Sequence, residues 1–393
     1  MKIAIVLDPW DYPFNGTVVW TRRFLSALSA QGHEFVVLAT EARETPPGAN
    51  PQVASFKRLS LPGLNHIIML NKSPLGLPDR KRMRELLQGC DLLHVQYPFF
   101  IGGAAITIAR EMGIPVLSSF HVQPENILRQ LGMRGEFLAR MVFRIWMHFH
   151  YRHSDMVVAP SEFASGLLQE SGYSGPVKVV SNGVPESMLY LPQRLREAGE
   201  AEPFQVLSVG RLAAEKRQDL ILDALADSEF ADRVELTLVG TGPREGRLRR
   251  RAEKMPYSVR FLQPSNEELV ALYRNADLFV HAGESELEGM SVLEAMAHSL
   301  PIIVADSAVS AARDLASDPH SLFAFPDARD LRRRIDYFLA HPGERLASAQ
   351  QNYQHARRMT HQQSTAELLA IYESLCGVTQ SDPVSREGLT AVD

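Results

Sequence analysis

Short, unbroken apolar runs recur along the whole of this chain, and longer helical patterns separate them. The first series is Ile3–Leu7, Phe35–Ala39, Leu92–Val95, Pro115–Ser118, Met156–Ala159 and Val177–Val180. The second is Val206–Val209, Val234–Val239, Val259–Leu262, Leu278–His281 and Pro301–Val304. Runs that do not alternate apolar with polar residues suit strands buried on both faces, as parallel strands are beneath their crossover helices. The strand–helix alternation predicts an α/β fold with mostly parallel, doubly wound sheets. The polar stretch Glu186–Pro203 divides the two series. The expected organisation is therefore a domain over residues 1–185, a linker over 186–203 and a second domain over 204–360. A chain of 393 residues exceeds what one core commonly supports. Ligands of such sheets bind beyond the carboxyl ends of the strands, so two facing sheets imply an interdomain cleft.

Composition narrows the function. The net charge is −5, which excludes the chain as a whole from nucleic-acid binding. The charge is unevenly spread: up to Tyr190 it is +3, and beyond it −8. Only Cys90 and Cys376 are present, far apart and without metal-ligand spacing, so a reducing compartment is expected and no metal site is indicated. The first residues run directly into a strand, which predicts no signal peptide. No apolar run reaches the roughly 18 residues of a membrane span, so any membrane contact is expected to be peripheral.

Two strand-to-helix junctions concentrate the chemistry. Gly210-Arg-Leu-Ala-Ala-Glu-Lys216 offers fixed cations, Arg211 and Lys216, where a leaving diphosphate would gain charge. Glu286-Leu-Glu-Gly-Met-Ser-Val-Leu-Glu294 offers two carboxylates, backbone N–H groups around Gly289, Met290 and Ser291, and a helix N-terminus. Carboxylates there can accept hydrogen bonds from ribose or sugar hydroxyls. Ser291-Val-Leu-Glu294 equally reads as a capping box, in which Glu294 serves only its own helix. Glu286, among other acidic residues, has a solvated loop charge as its lesser reading, and Arg211 and Lys216 surface cations as theirs.

Gly16, in Pro13-Phe-Asn-Gly-Thr17, follows the first strand and can bring backbone N–H groups close to a phosphate; it is also an ordinary turn glycine. His121 follows the strand Pro115–Ser118 and so sits at a carboxyl end, although a lone histidine is more often structural. Val239-Gly-Thr-Gly-Pro lacks the spacing of a dinucleotide fingerprint and predicts a tight strand exit; Ser181-Asn-Gly183 predicts a turn. Between Gly135 and His153, Phe137, Met141, Ile145 and Phe149 form one stripe at helical spacing, and Arg140, Arg144, His148 and Arg152 another. This is either a core-packed helix with a solvated basic face or a face that docks on anionic lipid through Arg140, Arg144 and Arg152.

Taken in order, Gly210-Arg-…-Lys216, Val239-Gly-Thr-Gly-Pro and Glu286-…-Gly289-…-Glu294-Ala-Met-Ala resemble glycosyltransferase family 4. The resemblance covers nearly the whole chain. It implies a retaining enzyme with two facing Rossmann-like domains, the GT-B fold. It also implies that Arg211 and Lys216 hold the donor diphosphate, Glu294 the ribose, and Glu286 hydroxyls of the donor sugar. His121 would lie by the donor sugar and Gly16 by the phosphates. A last helix, within residues 361–380, would cross back to the first domain; the polar stretch 381–393 is itself expected to be a frayed tail. Phe120-His-Val-Gln-Pro-Glu-Asn and Ser285-Glu-Leu-Glu-Gly-Met-Ser-Val-Leu-Glu resemble lipid glucosyltransferases that make glucosyl-diacylglycerol. Two departures leave the donor and the loop shape open. Glu288 stands where an apolar residue is common, and Ala305-Asp-Ser-Ala replaces a Gly-Gly.

The sequence therefore predicts a cytoplasmic hexosyltransferase, peripheral on the inner face of a membrane. It would use a nucleotide sugar (a UDP-sugar favoured), need no cofactor or metal, and act on a lipid or carbohydrate acceptor. His121, Arg211, Lys216 and Glu286 are its catalytic candidates. GDP-mannose-dependent or polysaccharide-building transfer is the nearest alternative. A nucleotide-sugar epimerase and an inactive lipid-surface scaffold are the alternatives of another class.

Overall fold

The structure, a computed structural model, describes residues 1–12, 16–46, 48–60, 74–125, 128, 135–191 and 202–377. The expected tail 381–393 and most of the expected linker, from 192 to 201, lie outside the described residues. The first sheet has seven parallel strands in the order β3-β2-β1-β4-β5-β6-β7: β1 Lys2–Val6, β2 Glu34–Thr40, β3 Gln52–Phe56, β4 Leu92–Val95, β5 Val116–Ser119, β6 Met156–Ala159 and β7 Val177–Val179. The second has six parallel strands in the order β10-β9-β8-β11-β12-β13: β8 Phe204–Val209, β9 Val234–Val239, β10 Ser258–Leu262, β11 Leu278–His281, β12 Ile302–Asp306 and β13 Leu322–Ala324.

The helices between strands cover both faces of each sheet. In the first unit they are α1 Gly16–Ser29, α2 Arg80–Leu87, α3 Phe100–Glu111, α4 Glu136–Phe149 and α5 Glu162–Glu170. In the second they are α6 Gln218–Ala226, α7 Glu245–Ala252, α8 Asn266–Asn275, α9 Met290–Ala297, α10 Ala328–Ala340 and α11 Pro342–Ala356, and α12 His361–Leu375 follows. The central strands β1, β4 and β11 are buried at nearly every residue, so both faces need apolar side chains. Two strands escaped the sequence reading. β3 is a short edge strand paired only with β2, and β13 has three residues at the opposite edge of the other sheet. Gln52 and Ser55 break the apolar run of β3, and β13 is too short to form one.

The chain passes between the units at two adjacent places. Val184 bridges Thr360, and the backbone amide of His361 donates to the Val184 carbonyl at 2.8 Å. Helix α12 then lies on the first unit, where Leu368, Ile371 and Tyr372 join the core of Ile3, Ile5 and Phe24. The Tyr372 hydroxyl bonds the buried His94 ring, also at 2.7 Å from the Ser119 hydroxyl. This packing anchors the second crossing, which limits the ways the two sheets can face one another.

Candidate active site

Between the sheets lies a cleft of about 1570 Å³. The carboxyl ends of β1, β5, β8 and β11 feed its lining loops, where α/β sheets gather their ligands. Gly16, His121, Arg211, Lys216, Glu286, Gly289, Met290, Ser291 and Glu294 all line it, so residues up to 278 positions apart share one cavity.

On the second unit, β8 ends and Gly210 takes φ 155°, a conformation that favours glycine and turns the chain sharply into Arg211. The Gly240–Gly242 exit of β9 packs against this turn. A Cβ on Gly240 would sit 2.2 Å from the Gly210 carbonyl oxygen, so the two loops meet backbone to backbone. Arg211 pairs with the buried Glu215 at 2.6 Å, and Lys216 pairs with Glu286. The Glu284 amide donates to the Glu215 carbonyl at 2.7 Å, and the Ser307 hydroxyl to the Glu284 carbonyl at 2.6 Å. Ser307 thus braces the acidic loop where the sequence departs from Gly-Gly.

Glu286 also receives His281 Nε2 at 2.9 Å. Burial pushes its carboxyl up, but the Lys216 ammonium and the His281 imidazole outweigh burial and hold it down to about 2. It is a fixed anion at any working pH, not a solvated loop charge.

The capping-box reading of Glu294 is overturned. Helix α9 begins at Met290, with Gly289 as its N-cap, so Ser291 already lies inside the first turn. Gly289 adopts φ 94°, and a Cβ there would sit 2.9 Å from the Ala312 Cβ. Gly289, Met290 and Ser291, at the N-terminus of the helix, line the cleft. Glu294 instead accepts from the Tyr273 hydroxyl at 3.0 Å, and burial raises its pKa.

On the first unit, Gly16 opens α1 and lines the cleft, and a Cβ there would meet no atom of the described residues within 4 Å. His121 packs near Trp20, and its Nε2 is buried without a partner among the described residues. Burial lowers its pKa to about 4, so it is neutral at pH 7 and can donate or accept one hydrogen bond.

Helix α4 corrects the sequence reading of its apolar stripe. Its core face is Ala139, Phe143, Trp146 and Met147. Phe137, Met141, Ile145 and Phe149 are 77%, 43%, 47% and 65% exposed. Arg140, Arg144, His148 and Arg152 are exposed beside them. The helix is apolar on two faces, and one of them faces out.

The site contains residues the sequence reading did not assign. Glu288, noted only as a departure, is buried and accepts from the Ser181 hydroxyl and from the Asn182 amide at 3.0 Å and side chain at 2.5 Å. It ties the acidic loop to the strand exit beside the interdomain crossing, and burial raises its pKa to about 7. Arg23 also lines the cleft and acts electrostatically on Glu294 from the opposite unit. Neither had a local signal, because each acts on a residue more than 100 positions away. Among the described residues no group of three His, Cys, Asp or Glu could hold a metal ion, and no helix is long and apolar enough to cross a membrane.

The model of glycosyl transferases group 1 matches residues 193–356, and that of Glycosyltransferase Family 4 matches residues 14–187. The chain is 25% identical over 320 residues to the alpha-monoglucosyldiacylglycerol synthase of Streptococcus pneumoniae, covering 77% of this chain and 70% of the relative. It is 28% identical over 368 residues to a GDP-mannose-dependent alpha-mannosyltransferase of Mycobacterium tuberculosis, covering 91% of each. Among solved structures, Anabaena HepE in complex with UDP-glucose aligns with a TM-score of 0.73 at 16% identity, over 95% of this chain and 100% of that one.

Proposed function

The chain belongs to glycosyltransferase family 4 with the GT-B fold, and on that premise we propose that it moves a hexose, with retention, from a nucleotide diphosphate sugar to the hydroxyl of a lipid at an anionic membrane surface. The observation that carries this reading is the two-ended cleft. Its second-unit end has Arg211, Lys216 and the N-terminus of α9, and its first-unit end is lined by Ile145 and Phe149, two of the exposed apolar residues of α4.

The donor diphosphate is bound by Arg211, Lys216 and the N–H groups at Gly289, Met290 and Ser291. Both cations are already held in place by Glu215 and Glu286. They therefore meet the charge that grows on the leaving group without reorganising. Glu286, kept ionised, accepts from hydroxyls of the donor sugar, and Glu294 accepts from the ribose. The C1–O bond to the diphosphate breaks, and the acceptor oxygen bonds to C1 on the same face. The acceptor's proton passes to a phosphate oxygen of the leaving group. The unpartnered Nε2 of the neutral His121 orients a hydroxyl at the reacting end.

A glucosyl donor and a diacylglycerol acceptor follow the Streptococcus relative, and UDP is the carrier expected from the sequence. The Mycobacterium relative favours GDP-mannose as the second reading. The test offers UDP-glucose, UDP-galactose and GDP-mannose with vesicles of diacylglycerol and phosphatidylglycerol, and reads the product's anomeric configuration by NMR. An α-glycolipid from a UDP-sugar is expected. An inverted anomer would refute retention, exclusive use of GDP-mannose would refute the donor, and products only from water-soluble acceptors would refute the lipid.

A further inference from the structure

We infer that the first-unit limb of the cleft, between α3 and α4, is a binding site for one hydrocarbon chain of the acceptor; this deepens the lipid-acceptor reading and rests on it. The limb's floor is aromatic. Tyr97 stacks on Phe99 at 5.6 Å, and Phe99 meets the edge of Trp146 at 6.5 Å. Its mouth is formed by Phe100, Ile145 and Phe149, which are 52%, 47% and 65% exposed, and all three line the same cavity as His121.

Single exposed apolar residues are ordinary, but three converging from two helices on one recess are not. The end of α4 comes close to α3 at Gly102, where an added Cβ would sit 3.2 Å from the His150 ring. A Cβ on Gly102 would meet the Tyr97 carbonyl oxygen at 2.7 Å, and one on Gly103 would lie 3.6 Å from the Phe149 carbonyl oxygen.

Two observations choose a hydrocarbon chain over a protein partner. The recess is continuous with the reaction cleft, so its occupant is joined to whatever meets the donor. Arg140 and Arg144 are exposed on the helix that forms the mouth, where anionic headgroups of a bilayer would lie. A chain entering from the bilayer passes the apolar mouth and leaves its headgroup hydroxyl toward His121.

The experiment uses the full chain, UDP-glucose and 1-monoacylglycerols with acyl chains of two to twelve carbons, below micelle concentration. In the wild type, kcat/KM should rise about fourfold per methylene until the limb is filled, from the transfer free energy of a CH₂ group. Ile145→Glu puts a charge in the mouth, and Thr107→Trp, at an exposed lining position, obstructs the limb. Both should flatten the chain-length dependence to less than twofold per methylene, while Ile145→Leu keeps it. The donor KM should stay within about twofold in all three. Quenching of tryptophan fluorescence by a terminally brominated monoacylglycerol, without donor, should weaken in Ile145→Glu. Transfer to monoacylglycerols with no chain-length dependence in the wild type would overturn the chain site and leave the lipid-acceptor reading standing. An unchanged slope in both Ile145→Glu and Thr107→Trp would do the same. Transfer to soluble sugars with none to any monoacylglycerol would instead overturn the lipid-acceptor reading itself.

Discussion

Replacing Lys216 with Ala tests the charge arrangement most directly, because it removes one cation and changes a second group through it. Lys216 and Glu286 have side chains only 20% and 16% exposed, so their interaction is weakly screened. Loss of a positioned charge partner for a developing anion costs about 10²–10³ in kcat, or about 2.7–4 kcal/mol. The variant also alters Glu286. In the wild type its pKa falls from 4.5 to about 2, which corresponds to about 3 kcal/mol favouring the ionised form. A lowered pKa means that the anion is present above about 2 and is lost as pH falls through that value, so the wild type should show no Glu286 limb in its working range. Without Lys216, burial remains and only His281 opposes it, so the pKa rises and an acid limb enters the kcat/KM profile. Lys216→Arg keeps the charge and should recover most of the turnover and the flat acid side. The assay is steady-state release of the nucleoside diphosphate from pH 4.5 to 8.5, with donor concentration varied at each pH so that kcat and kcat/KM are both read. Turnover of Lys216→Ala within about threefold of wild type, with an unchanged acid side, would refute both the diphosphate role and the coupling to Glu286.

Three further outcomes are expected. Glu294→Gln should lower donor affinity by roughly tenfold, by calorimetry, with the melting temperature nearly unchanged, because Glu294 caps nothing; unchanged affinity would remove it from the ribose. Glu288 has a folded pKa raised to about 7, so its contribution to stability is full below about 4.5 and is lost as pH rises through 7. The stability of Glu288→Gln relative to wild type should therefore climb by up to about 3 kcal/mol between pH 5 and 8, and a flat difference in chemical denaturation would contradict the burial argument. Changing Arg140, Arg144 and Arg152 together to Gln should weaken binding to phosphatidylglycerol vesicles by roughly two orders of magnitude at low salt, since each basic residue near an anionic surface contributes about 1 kcal/mol. Equal binding would leave the stripe a solvated face.

The strands of both sheet interiors were legible in the sequence because burial on two faces demands unbroken apolar runs, and that is a local property. β1, β4, β8 and β11 follow from it directly. The clustering of Arg211, Lys216, Glu286 and Glu294 at strand exits was legible for the same reason, since strand ends can be located along the chain. What remained open needed distance information. Whether Glu294 caps a helix or faces the cleft depended on where α9 starts, and the contact of Gly289 with Ala312 helps decide that. The spacing of Phe137, Met141, Ile145 and Phe149 reveals a stripe, but spacing has no inside or outside. Only the packing of Phe143 and Trp146 against Phe120 and Phe99 turns that stripe outward. Glu288 looked like an anomaly until Ser181 and Asn182 were beside it. Periodicity determines which faces exist, whereas tertiary contact decides which are buried and which carboxylates share a cavity with a cation.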